Sequence, residues 1–448
     1  MNAKPFPRRH FLHAAGTAAV LAAAPRATAT TTSGDLPTVL GGSRLVPADS
    51  LPGWPVIDGR DETRLLDALR RREWCRLYGD ITTTFERRWA ELLAARHALG
   101  MVNGTNSLYA ALAAVGVEPG DEVIVPPYTF VATVNAVVQH YALPVFTDTD
   151  PETFQMDPDS VEERITERTR CILPVHLGGN AADMDRIQAV AQRRGIPVVE
   201  DACQAHLAEW RGRKVGTLGA VGCFSFQTTK ILPCGEGGAA VTNDEELFNA
   251  LHAFHNNGRD RLTGTRHGYL HQGSNLRLTE FQAAVLLAQL EKMEELCRRR
   301  EANARRLEAA FQSIPGVTPA ASYPGCTRNT YYIMMFRYDA EAFRGLSREQ
   351  FLRALQAEGI PAWAGYAPLP REPFLSKVFA SRAYRRLFPS GVLDDFAERF
   401  PCPKNEELCK TGFFLSQEFL LAEPDVVSRF PEAVERIRRH ADRIQARV

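Results

Sequence analysis

Through the first two thirds of the chain, short apolar runs alternate with stretches in which apolar residues recur every three or four positions. The runs 98–102, 122–125, 144–147, 171–175 and 197–200 are four or five residues long and mostly apolar. That is how parallel strands buried on both faces read. Between them, Phe85, Trp89, Leu92 and Leu93 fall on one face of a helix predicted over 85–95. Further helices are predicted over 108–115, from Phe130 to Val138, and over 183–194. This alternation predicts an α/β fold with a mainly parallel sheet, whose ligands gather at the carboxyl ends of the strands. A strand at 239–242 and a helix at 245–254 continue it. A polar loop over 256–271 then precedes a helical stretch at 279–307, long enough to link two domains. Beyond Pro315 the pattern changes to a strand over 331–337, a helix over 348–358, and helices near Asp394 and Ala433. A large domain is therefore expected at 56–310 and a smaller α+β domain at 311–448.

The first 55 residues lie outside this pattern. Arg8-Arg9-His10-Phe11-Leu12, the uncharged run 14–24 and Ala27-Thr28-Ala29 have the layout of a twin-arginine signal peptide over 1–29. Export to the periplasm or the exterior is expected from it. A disordered tail on a cytoplasmic protein is the alternative. The apolar run is too short to serve as a permanent membrane anchor. Residues 30–55, rich in Thr, Ser, Gly and Pro, are expected as a linker along the surface. Lys and Arg (53) balance Asp and Glu (53), so there is no electrostatic footprint for nucleic acid. The nine cysteines form no C-x-x-C pair and no zinc-like spacing with His, so neither a metal site nor a disulfide framework is expected.

Two runs carry the candidate chemistry. Val198-Val199-Glu200-Asp201 ends in a carboxylate. Cys223-Phe224-Ser225-Phe226-Gln227-Thr228-Thr229-Lys230 delivers a hydroxyl and then an amine, before Gly235-Glu236-Gly237-Gly238. Taken singly, a Lys after a strand is a solvated residue and an Asp caps a helix. Together they are the groups that pyridoxal phosphate (PLP) requires: a lysine for its aldehyde, an acid for its ring nitrogen and a hydroxyl for its phosphate. On that reading Lys230 is the Schiff-base lysine, Asp201 the ring-nitrogen partner and Ser225 a phosphate ligand. Asn103-Gly104-Thr105-Asn106-Ser107, between a strand and a helix, is an anion-binding arrangement or an ordinary N-cap. An aromatic residue in the turn 126–130 could stack on a flat ring or simply pack. His176 and His206 are as readily structural as catalytic, and Tyr332 and Tyr366 line an acceptor pocket or pack in a core.

In combination these motifs resemble the DegT/DnrJ/StrS group of PLP-dependent aminotransferases. The matching stretches are Asn103-Gly104-Thr105, Gly120-Asp121-Glu122-Val123-Ile124-Val125-Pro126, Thr129-Phe130-Val131-Ala132-Thr133, Glu200-Asp201-Ala202-Cys203-Gln204-Ala205, Phe224-Ser225-Phe226 with Lys230, and Gly235-Glu236-Gly237-Gly238. The resemblance implies an aspartate-aminotransferase-like large domain (fold type I) and amination of a keto sugar or cyclitol ketone by glutamate or glutamine, in a ping-pong Schiff-base mechanism. It implies that Thr105, Asn106 and Ser225 bind phosphate, Phe130 stacks on the ring, Asp201 meets the ring nitrogen, Gln204 the ring hydroxyl and Lys230 the aldehyde. It further implies a homodimer in which Asn275 reaches the neighbouring subunit's cofactor. Pro174-Val175-His176-Leu177 and Gly365-Tyr366-Ala367-Pro368-Leu369 look nearest to the cyclitol and aminohydroxybenzoate branch. The export signal departs from a mostly cytoplasmic family and bears on the acceptor. The alternative from another class is an exported PLP- or carbohydrate-binding regulator without turnover, which would not need Lys230, Asp201 and Ser225 together.

Overall fold

The computed structural model describes residues 35–261, 269 and 271–447. The signal peptide expected over 1–29 lies outside the described residues. The apolar runs of the first half form strands β1 (His97–Met101), β2 (Glu122–Val125), β3 (Leu143–Phe146), β4 (Thr169–Ile172), β5 (Val199–Asp201), β6 (Val221–Ser225) and β7 (Gly238–Thr242). β3, β2 and β4 pair in parallel, as do β5 and β6. The parallel bridges Ile172↔Val198 and Val175↔Asp201 join the two groups. The order across the whole sheet is β1-β7-β6-β5-β4-β2-β3. Only β7 runs against the rest, pairing antiparallel with both β1 and β6. It does so because residues 226–237 fold back as a hairpin, with Phe226 N–H bonded to Gly237 O (2.7 Å) and Thr228 N–H to Gly235 O (2.9 Å). Lys230 rides on that hairpin, beyond the carboxyl end of β6.

The helix after β1 starts earlier than apolar spacing suggests, at Gly104–Ala114, because Asn103 caps it by accepting from Asn106 N–H. Its first turn therefore lies at the carboxyl edge of the sheet. Helices Ala132–Gln139 and Met184–Arg194 follow β2 and β4 in the same way.

Helix Glu280–Phe311 spans two cores. Ala283, Leu286, Met293 and Cys297 belong to the first, while Ala304, Leu307 and Phe311 belong to the second. The second core covers an antiparallel sheet of Val317–Pro319, Ile333–Tyr338, Gly412–Ser416 and Ala362–Ala364, in that spatial order. Helices Arg348–Glu358 and Arg429–Arg439 pack into the same core, where Phe336, Phe351, Phe413 and Phe430 meet.

Two sequence expectations need correction here. The stretch 30–55, expected as a surface linker, carries Leu40 and the completely buried Val46 into the second core. Its backbone is held by the buried carboxylate of Glu358, which accepts from Thr38 N–H (2.8 Å), Thr38 Oγ1 (3.0 Å) and Leu45 N–H (3.3 Å). Residues 369–402, assigned with the small domain, send Leu375, Phe379, Tyr384, Phe396 and Phe400 into the first core instead. Among the described residues no helix is long and apolar enough to cross a membrane, and no acidic, His or Cys cluster could hold a metal.

Candidate active site

The carboxyl ends of β1, β5 and β6 surround a cavity of about 470 Å³. Thr105, Phe130, Asp201, Gln204, Ser225 and Lys230 all line it, as do Tyr332 and Tyr366 from beyond the long helix. Asp201 ends β5 and is only 5% exposed. Its Oδ2 accepts from Thr133 Oγ1 (2.8 Å) and its Oδ1 from Cys203 N–H (3.2 Å). Thr133 Oγ1 lies 3.1 Å from Thr129 Oγ1, so two hydroxyls one helical turn apart orient the carboxylate. Sequence reading quoted Thr133 within a motif but gave it no role. The signal was its spacing of four from Thr129 at a helix start.

Lys230 is half-buried, with Nζ 4.3 Å from the centre of the Tyr332 ring. No carboxylate lies within ion-pair distance of it among the described residues, so the amine is free to meet a reacting group. Gln204 is buried. Its Oε1 accepts from Gly178 N–H (3.0 Å) and its Nε2 donates to Tyr366 Oη (3.1 Å). Burial pushes the Tyr366 phenol up, keeping it neutral. Phe130 stands at the rim with 54% of its surface exposed, a free aromatic face on the cavity.

One residue named for this chain's phosphate contacts lies elsewhere. Asn106 does not line the cavity, because its side chain folds back and donates to Asn103 Oδ1 at 2.9 Å. Asn275 is exposed and outside this chain's own cavity. His176 and His206 are structural. His176 Nδ1 accepts from Ala182 N–H (3.1 Å), so its Nε2 donates to Glu200 Oε2 (2.9 Å). Glu200 also accepts from the N–H groups of Gly216, Leu218 and Gly219 at 2.6–2.7 Å, fixing the residue before Asp201. His206 Nε2 lies 2.9 Å from Ser225 O, and its ring sits among Trp89, Phe224 and Phe226. Burial, and then the nearby Lys230 charge, lower its pKa to about 3, so it is the neutral imidazole that supports the Ser225 carbonyl.

The residues present fit PLP. A Cβ on Gly104 would come within 2.7 Å of Ser225 Cβ and 2.9 Å of Cys203 Sγ, so the helix N-terminus approaches the strand end only without a side chain. A Cβ on Gly238 would lie 2.4 Å from Asn103 C, which brings β7 equally close. The result is a cradle of free backbone N–H groups and the Ser225 hydroxyl, suited to a phosphate. Asp201 supplies a buried carboxylate for a cationic ring nitrogen, and Lys230 an unpaired amine for an aldehyde.

Fold and site together define a PLP-dependent aminotransferase of fold type I. A family model, the DegT/DnrJ/EryC1/StrS aminotransferase family, matches residues 56–386, and the chain belongs to that family. It is 36% identical over 385 residues to 3-amino-5-hydroxybenzoate synthase of Amycolatopsis mediterranei, covering 85% of this chain and 95% of that one. It is 38% identical over 378 residues to L-glutamine:2-deoxy-scyllo-inosose aminotransferase of Streptoalloteichus tenebrarius, covering 81% and 88%. Among solved structures, that of 3-amino-5-hydroxybenzoic acid synthase superposes with a TM-score of 0.79 at 34% identity, covering 90% of this chain and 100% of that one. The S. venezuelae protein DesV, solved with a ketimine intermediate, gives 0.72 at 31%, covering 87% and 99%.

Proposed function

We propose that the protein moves an amino group from glutamine or glutamate to a ring ketone of a cyclitol or keto sugar. The observation that carries this is the convergence of Lys230, Asp201 and the Gly104–Ser225 cradle in one cavity. The relatives named for scyllo-inosose and aminohydroxybenzoate chemistry support the choice of acceptor. Bound there, PLP supplies an aldehyde that condenses with amines and a ring that takes up an electron pair.

The chain's own groups divide the remaining work. Ser225 and the first N–H groups of helix Gly104–Ala114 hold the phosphate, and Phe130 offers its face to the ring. Asp201, oriented by Thr133, keeps the proton on the ring nitrogen. Gln204, anchored at both ends of its amide, presents a fixed dipole to the ring hydroxyl. With PLP and an amino donor bound, Lys230 Nζ would be the base that takes the donor's Cα proton. When a ketone replaces the donor, the same amine returns a proton to the acceptor carbon. Tyr332 and Tyr366 close the acceptor side and limit water.

A homodimer with shared sites is part of this reading. Ile57, Leu65, Leu66, Leu69, Trp74 and Tyr78 leave apolar surface exposed on and around helix Gly59–Arg71. Asn275, exposed and outside its own cavity, is free to serve a neighbouring site. Export through the paired arginines at 8 and 9 is also proposed, on the sequence pattern alone, with a cytoplasmic protein as the other outcome. Wild-type protein that stays uncleaved and cytoplasmic in its own host would overturn it.

Full-chain protein loaded with PLP should show a visible band that glutamine or glutamate bleaches and a cyclitol ketone restores. Acceptors for the screen are 2-deoxy-scyllo-inosose and nucleotide-linked keto sugars. A band that no amino donor bleaches would overturn the proposal.

A further inference from the structure

The turn that carries Lys230 is held by residues from two distant parts of the chain, Trp54 and Gln417. The Thr229–Lys230 peptide unit is planar, and both of its polar groups are engaged. Lys230 N–H donates to Gln227 O at 2.8 Å, and Thr229 O accepts from Nε2 of Gln417. One residue earlier, Thr228 O accepts from Trp54 Nε1 at 2.7 Å. With both its polar groups held, the plane is restrained, and with it the position of the Cα from which the Lys230 side chain projects.

The orientation of the Gln417 amide is itself enforced. Its Oε1 accepts from Nη1 of Arg300 at 3.2 Å. Arg300 projects from the long helix Glu280–Phe311 and is completely buried. No carboxylate pairs with it among the described residues; its Nη2 donates to Cys297 Sγ at 3.2 Å, and the Trp54 ring centre lies 5.9 Å from Cζ. A guanidinium carries only donors. It therefore donates to the oxygen end of the amide and turns the NH₂ group toward Thr229. A buried cation without a carboxylate is costly to keep, and its neighbours show what it acts on. Neither Arg300 nor Gln417 lines the cavity, so any effect on chemistry passes through the lysine peptide.

We propose that Arg300 and Gln417 are positioning residues for Lys230. The guanidinium orients the amide, and the amide fixes the peptide from which the lysine projects. Because Gln417 directly follows strand Gly412–Ser416, the second core thereby sets the aim of an amine anchored in the first. The inference rests on the reading of Lys230 as the cofactor-bearing amine.

The test uses PLP-loaded full-length protein with Gln417→Met, similar in size but with no hydrogen-bond donor, and Gln417→Glu. The glutamate can pair with Arg300 but cannot donate to Thr229 O. In both variants, amide hydrogen exchange in segment 226–234 should quicken about tenfold, with other segments unchanged. The midpoint of the visible band's pH titration should move by about half a pH unit or more. The donor half-reaction should slow by about 10–100-fold, with the donor KM changed less than about twofold. If Gln417 served only to accept from Arg300, Gln417→Glu would show wild-type exchange, titration and rate, and that result overturns the proposal. Should Gln417→Met fail to fold, Gln417→Glu decides alone. Borohydride reduction of the wild type separates the two readings. A tag on another lysine sinks the functional reading, whereas a tag on Lys230 with unperturbed variants sinks only this one.

Discussion

Replacing Asp201 with Asn separates the structural from the chemical work of that carboxylate. In the folded variant the new amide keeps an oxygen for Cys203 N–H, which Asp201 holds at 3.2 Å. At the other position an NH₂ group replaces the oxygen that accepted from Thr133 at 2.8 Å. The Thr133 hydroxyl can turn to accept from that NH₂ and donate to Thr129, 3.1 Å away. The three-residue chain reverses, and the two charge-assisted hydrogen bonds, from Thr133 and from Cys203 N–H, become neutral ones, at a total cost of about 1–2 kcal/mol. For a chain of 448 residues the melting temperature of the PLP-free protein should therefore fall by only about 1–2 °C. With PLP bound the loss is larger. Removing one member of a buried ion pair costs about 3–5 kcal/mol. The ring escapes part of that by shedding its proton, so most of the loss appears in rate. About 3–4 kcal/mol corresponds to a single-turnover rate with glutamine lower by roughly 10²–10³-fold, with PLP affinity much less affected. Calorimetry on the PLP-free protein, spectral titration with PLP and stopped-flow single turnover measure the three quantities. A near wild-type turnover rate would refute the assignment of Asp201, and collapse of the PLP-free variant would refute the reversal argument.

Three further outcomes follow from the geometry. Gly104→Ala places a methyl group against Ser225 Cβ, which cannot yield, so PLP affinity by spectral titration should weaken by about 10–100-fold; an unchanged affinity contradicts the cradle. Glu200→Gln turns an NH₂ group toward two of the four donors that converge on Glu200. It should cost about 3–5 kcal/mol in urea unfolding of the PLP-free protein, and a cost under about 1 kcal/mol refutes the network. His206, whose folded pKa is lowered to about 3, contributes stability that is complete above its unfolded value of about 6.5 and is lost as pH falls below it, by about 1.4 kcal/mol per unit. Between pH 6.5 and 5, the urea midpoint of the wild type should therefore fall more steeply than that of His206→Gln, and equal slopes would contradict it.

The strands of the main sheet were legible because each is a run buried on both faces, and strand ends located Asp201, Ser225 and Lys230. Strand Gly412–Ser416 was missed, although all but Ser416 is buried; it directly follows the helix Pro403–Thr411, with the C-cap Gly412 as the one break between them. Apolar spacing in 369–402 shows a buried face but not which core receives it, and Tyr384 and Phe396 go to the first. Composition misread 30–55, since Thr38 and Leu45 find their acceptor in Glu358, more than 300 residues away. The resemblance implied a phosphate role for both Thr105 and Asn106, yet neighbouring residues on a helix point about 100° apart, and the Asn106 side chain turns back to Asn103. The Arg300–Gln417–Thr229 chain joins residues 71 to 188 positions apart and leaves no local pattern.

The central claim is that Lys230 is the amine that binds the cofactor. Borohydride reduction of PLP-loaded protein, followed by digestion and mass spectrometry, should place the reduced pyridoxyl group on Lys230 alone. Lys230→Ala should take up PLP without a covalent tag and fail to convert glutamine. A pyridoxyl group on any other lysine, or glutamine turnover by Lys230→Ala, would contradict the account.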